Sequence, residues 1–378
     1  MGKTTRGIVA WLVGALLGAT AWAQGVTGDA VTLVQTADLS GSRASLVKEL
    51  NSGWRAFLAQ VNERGGVHGR RVDLVTEDDK YEIEETRRIV RERLQRNDAF
   101  AFVSLIGTAN AAAVLPLLEG AGVPVVAPFS GAEQLRDPQY RWVFHLRASY
   151  AQEVEKMVEH VLTLGMRRIA VFYDDDAFGQ DVLKAAEAAL TRRHLAPVAR
   201  GRVDRGSVDV ARAVSAIAAS DAQVVICGSF GNSLVEFVRG MKQSGKSPSY
   251  YALSFFPAGA SIRQLAGDAR GIGVTQVMPK PSAMGLALVR EFHAAMRRHA
   301  PGDAPSAIAL EGYATAKVTV EALRRAGPAL TRPGFVTAME TMTDFDLGGV
   351  RLNYRKGDHT GLKFVEISVV DEGGRLMH

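Results

Sequence analysis

Short apolar runs alternate along this chain with stretches whose apolar residues recur at helical spacing. The first run, Val31-Thr32-Leu33-Val34-Gln35-Thr36, predicts a strand, and Leu46, Leu50, Trp54, Phe57 and Val61 then mark one face of an amphipathic helix. Gly65-Gly66-Val67-His68-Gly69 ends that helix. A second strand is predicted over 71–75, closed by Glu77-Asp78-Asp79, with a charged helix over 84–96. The run Ala99-Phe100-Ala101-Phe102-Val103-Ser104-Leu105 predicts a third strand, Ile106-Gly107-Thr108-Ala109-Asn110 a turn, and 111–119 a helix. A fourth strand, Val123-Pro124-Val125-Val126-Ala127, leads into the loop Pro128-Phe129-Ser130-Gly131. Strands and helices in alternation, with short connections, imply a parallel sheet covered on both faces.

The pattern restarts after Trp142-Val143-Phe144-His145-Leu146. Val154, Met157, Val158, Val161 and Leu162 mark a helix, Arg168-Ile169-Ala170-Val171-Phe172-Tyr173 a strand, and Asp174-Asp175-Asp176-Ala177-Phe178-Gly179 a loop. A helix over 180–193, a strand over 198–203, a helix over 208–220 and the strand Gln223-Val224-Val225-Ile226-Cys227 follow. Gly228-Ser229-Phe230-Gly231-Asn232 opens another helix, and the strand Ser249-Tyr250-Tyr251-Ala252-Leu253 ends at Ser254-Phe255-Phe256. Residues 273–277 read as a crossing back, followed by helices over 285–299, 308–325 and 333–341 and strands near 350–354 and 363–370. The expected fold is α/β, two copies of one doubly wound, Rossmann-like architecture without a detectable sequence repeat.

In open sheets of this kind ligands sit beyond the carboxyl ends of the strands. The loops at 38–42, 107–110 and 129–131 lie at such ends. At Gly107-Thr108-Ala109 a strand ends and a helix begins, so Thr108 is either an ordinary N-cap or part of an anion site made by the helix's free N–H groups and its positive dipole end. Phe129, Phe178, Phe230, Phe255 and Phe256 fall at predicted strand ends, which fits a partly apolar pocket with a few polar anchors.

The 378 residues suffice for two domains, and 47% hydrophobic with 22% charged residues is ordinary for a folded chain. Lys3 and Arg6 precede a run without charge, and Ala21-Trp22-Ala23 fits a cleavage site before Gln24, so residues 1–23 are expected to be a signal peptide removed on export to the periplasm. Removing both cations takes the formal charge from +5 to 5 − 2 = +3. With no basic stripe interleaved with aromatics, nucleic acid is not an expected partner. The lone Cys227 excludes an intramolecular disulfide and reads as a small buried hydrophobe. Asp174-Asp175-Asp176 lacks calcium-loop spacing, the histidines form no ligand-like pair, and neither a G-x-G-x-x-G turn nor a G-x-S-x-G elbow is present. No cofactor, metal or catalytic residue is expected, and a secreted hydrolase has little to stand on.

The chain resembles the type I periplasmic binding proteins, in particular the leucine/isoleucine/valine-binding branch that serves ABC transporters. The resemblance rests on Leu39-Ser40-Gly41, on the stretch Val61-Asn62-Glu63-Arg64-Gly65-Gly66-Val67-His68-Gly69-Arg70 with Glu77-Asp78-Asp79, on Arg168-Ile169-Ala170-Val171 with Phe178-Gly179, and on Glu311-Gly312-Tyr313-Ala314. It implies two lobes with parallel sheets joined by a three-segment hinge: 27–145 plus 279–346 as the N-terminal lobe, 146–278 plus 347–378 as the C-terminal lobe. It further implies a monomer that closes over a small carboxylate ligand and docks on a membrane permease, or delivers the ligand to a signalling receptor. The implied contacts are Gly107, Thr108 and Ala109 for the carboxylate, with Phe129, Ser130 and Gly131 beside them, Phe178 and Phe230 on the second lobe, and Tyr313 lining the cleft. The family's amino-acid binders hold the ligand's ammonium with an acid at the position matching Ser254, and no acid lies between Glu236 and Asp268 here. Phe178 and Phe230 stand where the family has tyrosines, and Asp38 where it has proline. A buried ammonium without an anion is costly. Either Asp38 or Glu311 supplies the charge, or the ligand is an aromatic or aliphatic acid without an amino group.

Overall fold

A computed structural model describes residues 25–256 and 260–377; the expected signal peptide, 1–23, lies outside the described residues. The first half builds the strands β1 (Ala30–Ala37), β2 (Arg71–Asp78), β3 (Ala101–Val103), β4 (Val125–Val126) and β5 (Val143–Phe144). They form one parallel sheet in the order β2-β1-β3-β4-β5, with Ala30 beside Arg71 and Val103 beside Val126. Around it lie α1 (Ala44–Glu63), α2 (Ile83–Arg96) and α3 (Thr108–Gly120). The strands nearest the middle are shorter than their apolar runs. Ser104 at φ 47° and Ala127 at φ 50° turn the chain out of the ladder and toward the cleft.

A second sheet follows, from β6 (Ile169–Asp175), β7 (Arg200–Asp204), β8 (Val224–Gly228), β9 (Ser249–Ala252) and β10 (Gly273–Gln276). Its helices are α4 (Tyr150–Thr163), α5 (Ala177–Thr191), α6 (Ala211–Ala218), α7 (Asn232–Gln243) and α8 (Ala260–Leu265). The chain then returns to the first lobe as α9 (Ala287–His299), α10 (Ala307–Ala326), α11 (Arg332–Glu340) and a small hairpin, β11 (Phe345–Asp346) with β12 (Arg351–Leu352). It ends back on the second sheet with β13 (Glu366–Val370) and β14 (Leu376–Met377). That sheet has the order β14-β13-β10-β9-β8-β6-β7, and β13 and β14 run antiparallel to their neighbours. The lobes have the expected parallel sheets, and only this edge of the second departs from parallel pairing, where the returning tail has no helix to carry it across. The expected boundary at 346/347 falls inside the hairpin. Gly348 accepts from Leu288 N–H and Leu347 from Lys317, so these residues pack with the first lobe and the third crossing lies further on.

Glycine placement explains how α10 docks. A Cβ on Gly53 would stand 1.8 Å from the Ala309 carbonyl oxygen, and one on Gly312 2.0 Å from that of Leu50. The two long helices therefore cross backbone to backbone, which fixes the first lobe around Trp54, Phe57 and Tyr313, all buried. At the hinge, the first and third crossings run side by side, with Gly361 N–H donating to His145 and Leu362 N–H to Leu146.

Candidate functional site

Each sheet reverses its strand order once. The switch lies between β1 and β3 in the first lobe and between β6 and β8 in the second, and it is at such points that open α/β sheets leave a crevice. The chain leaves β1 through Asp38 to Arg43, reaches α3 through Gly107, enters α5 at Asp176 and enters α7 through Phe230 and Gly231. Both crevices face each other. Their residues line one space of about 380 Å³, open mouth included, bounded by Arg43, Leu46, Tyr81, Ile106, Gly107, Thr108, Phe129, Tyr150, Phe178, Phe230 and Phe255.

Gly107 has φ 94°, and a Cβ there would lie 2.5 Å from the Tyr81 ring. Only glycine serves both demands. It is the residue before the helix, so Thr108 is the first helical residue and its side chain makes no capping bond. The N-cap reading of Thr108 is thereby corrected. Its hydroxyl, 1% exposed, lies 2.8 Å from Ser130 Oγ, which accepts from Ala132 N–H. The first intrahelical bond runs from Ala111 N–H to Gly107, so the N–H groups of the first turn point at the space with the positive end of the dipole.

The wall is aromatic. Tyr150 and Phe178 meet edge to face at 5.3 Å, Phe178 and Phe255 at 5.5 Å, and Phe230 and Phe255 at 5.5 Å. Burial pushes the Tyr150 phenol up to about 12, so it stays a neutral hydrogen-bonding group. Tyr81 roofs the space, with the Arg43 guanidinium 3.4 Å from its ring centroid and that of Arg205 4.8 Å away. Arg205 comes from the second lobe and donates to Tyr81 O and Asn110 Oδ1 of the first, so the lobes are tied together over the mouth.

Charge around the space is one-sided. Among the described residues that line the space only Arg43 is ionic. The two acids offered as ammonium partners are both committed elsewhere. Asp38 is buried and accepts from Gly41 N–H and Arg43 N–H, so it shapes the turn that presents Arg43. Glu311 faces Arg147 at 3.4 Å. Burial pushes the Glu311 carboxyl up, and Arg147 opposes that. The acidic run on the second lobe is spent on local structure. Asp174 accepts from Ser229 and Ser233, and burial pushes its carboxyl up to about 7. Asp175 pairs with Arg202, and Asp176 caps α5 by accepting from Phe178 and Gly179 N–H. Among the described residues no group of three or more His, Cys, Asp or Glu could hold a metal ion.

The sequence from 30 to 375 matches the family model described as periplasmic binding protein. The chain belongs to that family. Among curated relatives, the Leu/Ile/Val-binding protein homolog 7 of Brucella abortus is 27% identical over 305 residues, covering 76% of this chain and 75% of its own. A periplasmic substrate-binding protein from Ralstonia solanacearum has a solved structure that superposes with a TM-score of 0.83, at 32% identity over 92% of this chain and 99% of that one. A possible leucine/isoleucine/valine-binding protein from Rhodopirellula baltica gives 0.87 at 26% identity, covering 93% and 96%. This is a type I periplasmic binding protein of the leucine/isoleucine/valine branch.

Within this binding protein the expected contact residues divide. Gly107, Thr108, Phe129, Phe178 and Phe230 line the space. Ala109, Ser130, Gly131, Ser254, Tyr313 and Asp38 do not. Ser130 stands behind Thr108, and Gly131 has no side chain because a Cβ would lie 2.6 Å from Tyr150. Ser254 is buried behind the wall, its hydroxyl taken by Arg147 at 2.5 Å. Tyr313 is 1% exposed and packs edge-on against Phe57 at 5.0 Å, so it belongs to the first-lobe core because α10 crosses α1 at Gly312. Phe178 sits on α5 rather than in a loop, since β6 runs on to Asp175 and the helix starts at Ala177. Sequence reasoning missed Arg43, Leu46, Tyr81, Ile106 and Tyr150. Arg43 and Tyr81 follow β1 and β2 at their carboxyl ends, so the strand-end rule that found Thr108 would have reached them too.

Proposed function

We propose that this periplasmic binding protein captures a small carboxylic acid without an ammonium group, aromatic or branched aliphatic, closes its lobes over it, and presents it to the membrane permease of an ABC transporter. The observation that carries this reading is the charge of the lining: among the described residues it has six aromatic rings, one guanidinium and no carboxylate. The ligand carboxylate would meet Arg43, the Thr108 hydroxyl and the first N–H groups of α3, and its apolar body would lie among Phe129, Tyr150, Phe178, Phe230 and Phe255. A charged carboxylate gains from both the guanidinium and the helix end. A buried ammonium would find no carboxylate among the described lining residues. The bodies that close are the first lobe, 27–145 with the returning helices and the β11–β12 hairpin, and the second, 146–278 with β13 and β14, by the hinge motion such paired lobes undergo. Residues 1–23 serve as the export signal, cleaved after Ala23, and the mature chain acts as a monomer. Binding, and not turnover, is its activity.

A thermal-shift panel of matched pairs tests this reading. 3-Phenylpropanoate differs from phenylalanine, and 4-methylpentanoate from leucine, by the amino group alone. Stabilisation by the acids and none by their amino counterparts is expected. Equal or greater stabilisation by leucine or phenylalanine would refute it.

A further inference from the structure

Directly behind the aromatic wall lies a buried ionic cluster built on the Arg147–Glu311 pair. Arg147, on the first hinge crossing and 1% exposed, has its guanidinium 4.5 Å from the centroid of Phe129 and 5.7 Å from that of Phe255. Both rings line the ligand space. On its other sides Arg147 donates to Ser254 Oγ and faces Glu311. Glu153, also buried, accepts from Ser254 N–H at 2.9 Å and from the Thr275 hydroxyl at 2.5 Å through one oxygen, while its other oxygen has no hydrogen-bond partner. Arg147 Nε and Nη1 likewise make no hydrogen bond. Two carboxyls therefore share one guanidinium, and all three side chains are buried. Burial alone would lower the Arg147 guanidinium, but the facing Glu311 and Glu153 outweigh it and hold it above the ordinary arginine value.

We infer that Arg147 is the pocket's selectivity residue: its guanidinium is a built-in cation that holds the place where Glu153 and Glu311 would otherwise draw a ligand's ammonium group. The inference rests on the reading of the space as a site for amine-free acids and adds the cause of that preference. With Arg147 present, a ligand cation approaching Phe129 and Phe255 meets a positive charge behind both rings, and the faces that could bind it are polarised by a guanidinium already there. With the guanidinium removed, the same rings would be backed by two carboxyls, and charges in such a low-dielectric place act strongly. Arg147 touches the ring wall and not the ligand, so it acts through the sign of the field and through the position of the two rings.

Calorimetric titration with 3-phenylpropanoate and phenylalanine separates these roles. The quantity to read is the ratio of the phenylalanine Kd to the 3-phenylpropanoate Kd. In Arg147→Met it is expected to fall by about 100-fold, twice the tenfold step of 1.4 kcal/mol, whereas Arg147→Lys, which keeps the charge, holds it within about threefold of wild type. Glu153→Gln, which leaves the guanidinium facing one carboxyl in place of two, raises the ratio. A folded Arg147→Met with an unchanged ratio would show a merely structural residue and overturn the inference. If that variant fails to fold, a Glu153→Gln ratio that does not rise overturns it. Wild-type protein that prefers phenylalanine would instead overturn the reading of the pocket itself, whatever the variants do.

Discussion

Arg43→Met gives the sharpest view of how the pocket holds its ligand. The substitution removes the guanidinium and keeps an unbranched apolar stem beside Leu46. Among the described residues Arg43 has no ion-pair partner: its side chain bonds Ser42 Oγ at 3.3 Å and lies against the rings of Tyr81 and Phe230. The carboxyl in whose field it lies, Asp174, is pushed up to about 7 by burial and so offsets only part of a charge at neutral pH. The guanidinium is thus free of any ion-pair partner among the described residues and can meet a ligand carboxylate. A hydrogen bond to a charged group contributes ~1.5–3 kcal/mol, which at 1.4 kcal/mol per decade raises Kd by roughly 10- to 150-fold. Losing one cation–π contact on Tyr81 adds about 0.5–1 kcal/mol, partly kept by Arg205 on the same ring. Calorimetry with 3-phenylpropanoate and its neutral amide separates charge from packing. Affinity for the acid should fall by that factor, and affinity for the amide should change by less than about threefold. An equal loss for acid and amide would mean that Arg43 only props up Tyr81, and no loss for the acid would place the carboxylate elsewhere.

Gly107→Ala puts a side chain at φ 94° and 2.5 Å from the Tyr81 ring; strain of ~1–3 kcal/mol should appear as a lower melting temperature together with lost binding, read by scanning calorimetry with and without ligand. Arg205→Met removes the bonds to Tyr81 O and Asn110 Oδ1 that span the cleft, so small-angle scattering should show a larger radius for the ligand-free variant, and ligand should leave it faster in stopped flow. Asp174 carries a raised carboxyl, about 7 against an ordinary 3.8. Between those values the folded chain keeps a proton the unfolded chain releases, so lowering the pH through that window stabilises the fold. Asp174→Asn should flatten the dependence of melting temperature on pH between about 4 and 7, and an unchanged slope would assign it to Asp79 and Asp181, which burial pushes up to about 6.

The alternation of strands and helices was legible because each buried parallel strand is a short apolar run and each helix carries one apolar face. The positions of the ligand loops followed from strand ends alone, which is why Gly107, Phe129, Phe178 and Phe230 were found. Strand lengths were less legible. Ser104 and Ala127 leave the ladder in left-handed conformations that an apolar run conceals. Tyr313 was misplaced because its surroundings depend on how α10 crosses α1, a tertiary fact carried by Gly53 and Gly312. Asp38 and Glu311 could be recognised as candidate anions, but their partners are a backbone turn and an arginine more than a hundred residues away. Arg43 went unnoticed for a related reason. An arginine in a polar loop looks solvated until Tyr81 and Phe230 are seen to close around it.

The central claim is that the pocket accepts a carboxylate and refuses the ammonium beside it. Titration calorimetry of the purified mature protein with 4-methylpentanoate and with leucine, side by side at neutral pH, tests it in one experiment. Saturable one-to-one binding of the acid and no heat from leucine is the predicted result. Leucine binding as tightly as the acid, or more tightly, would contradict it.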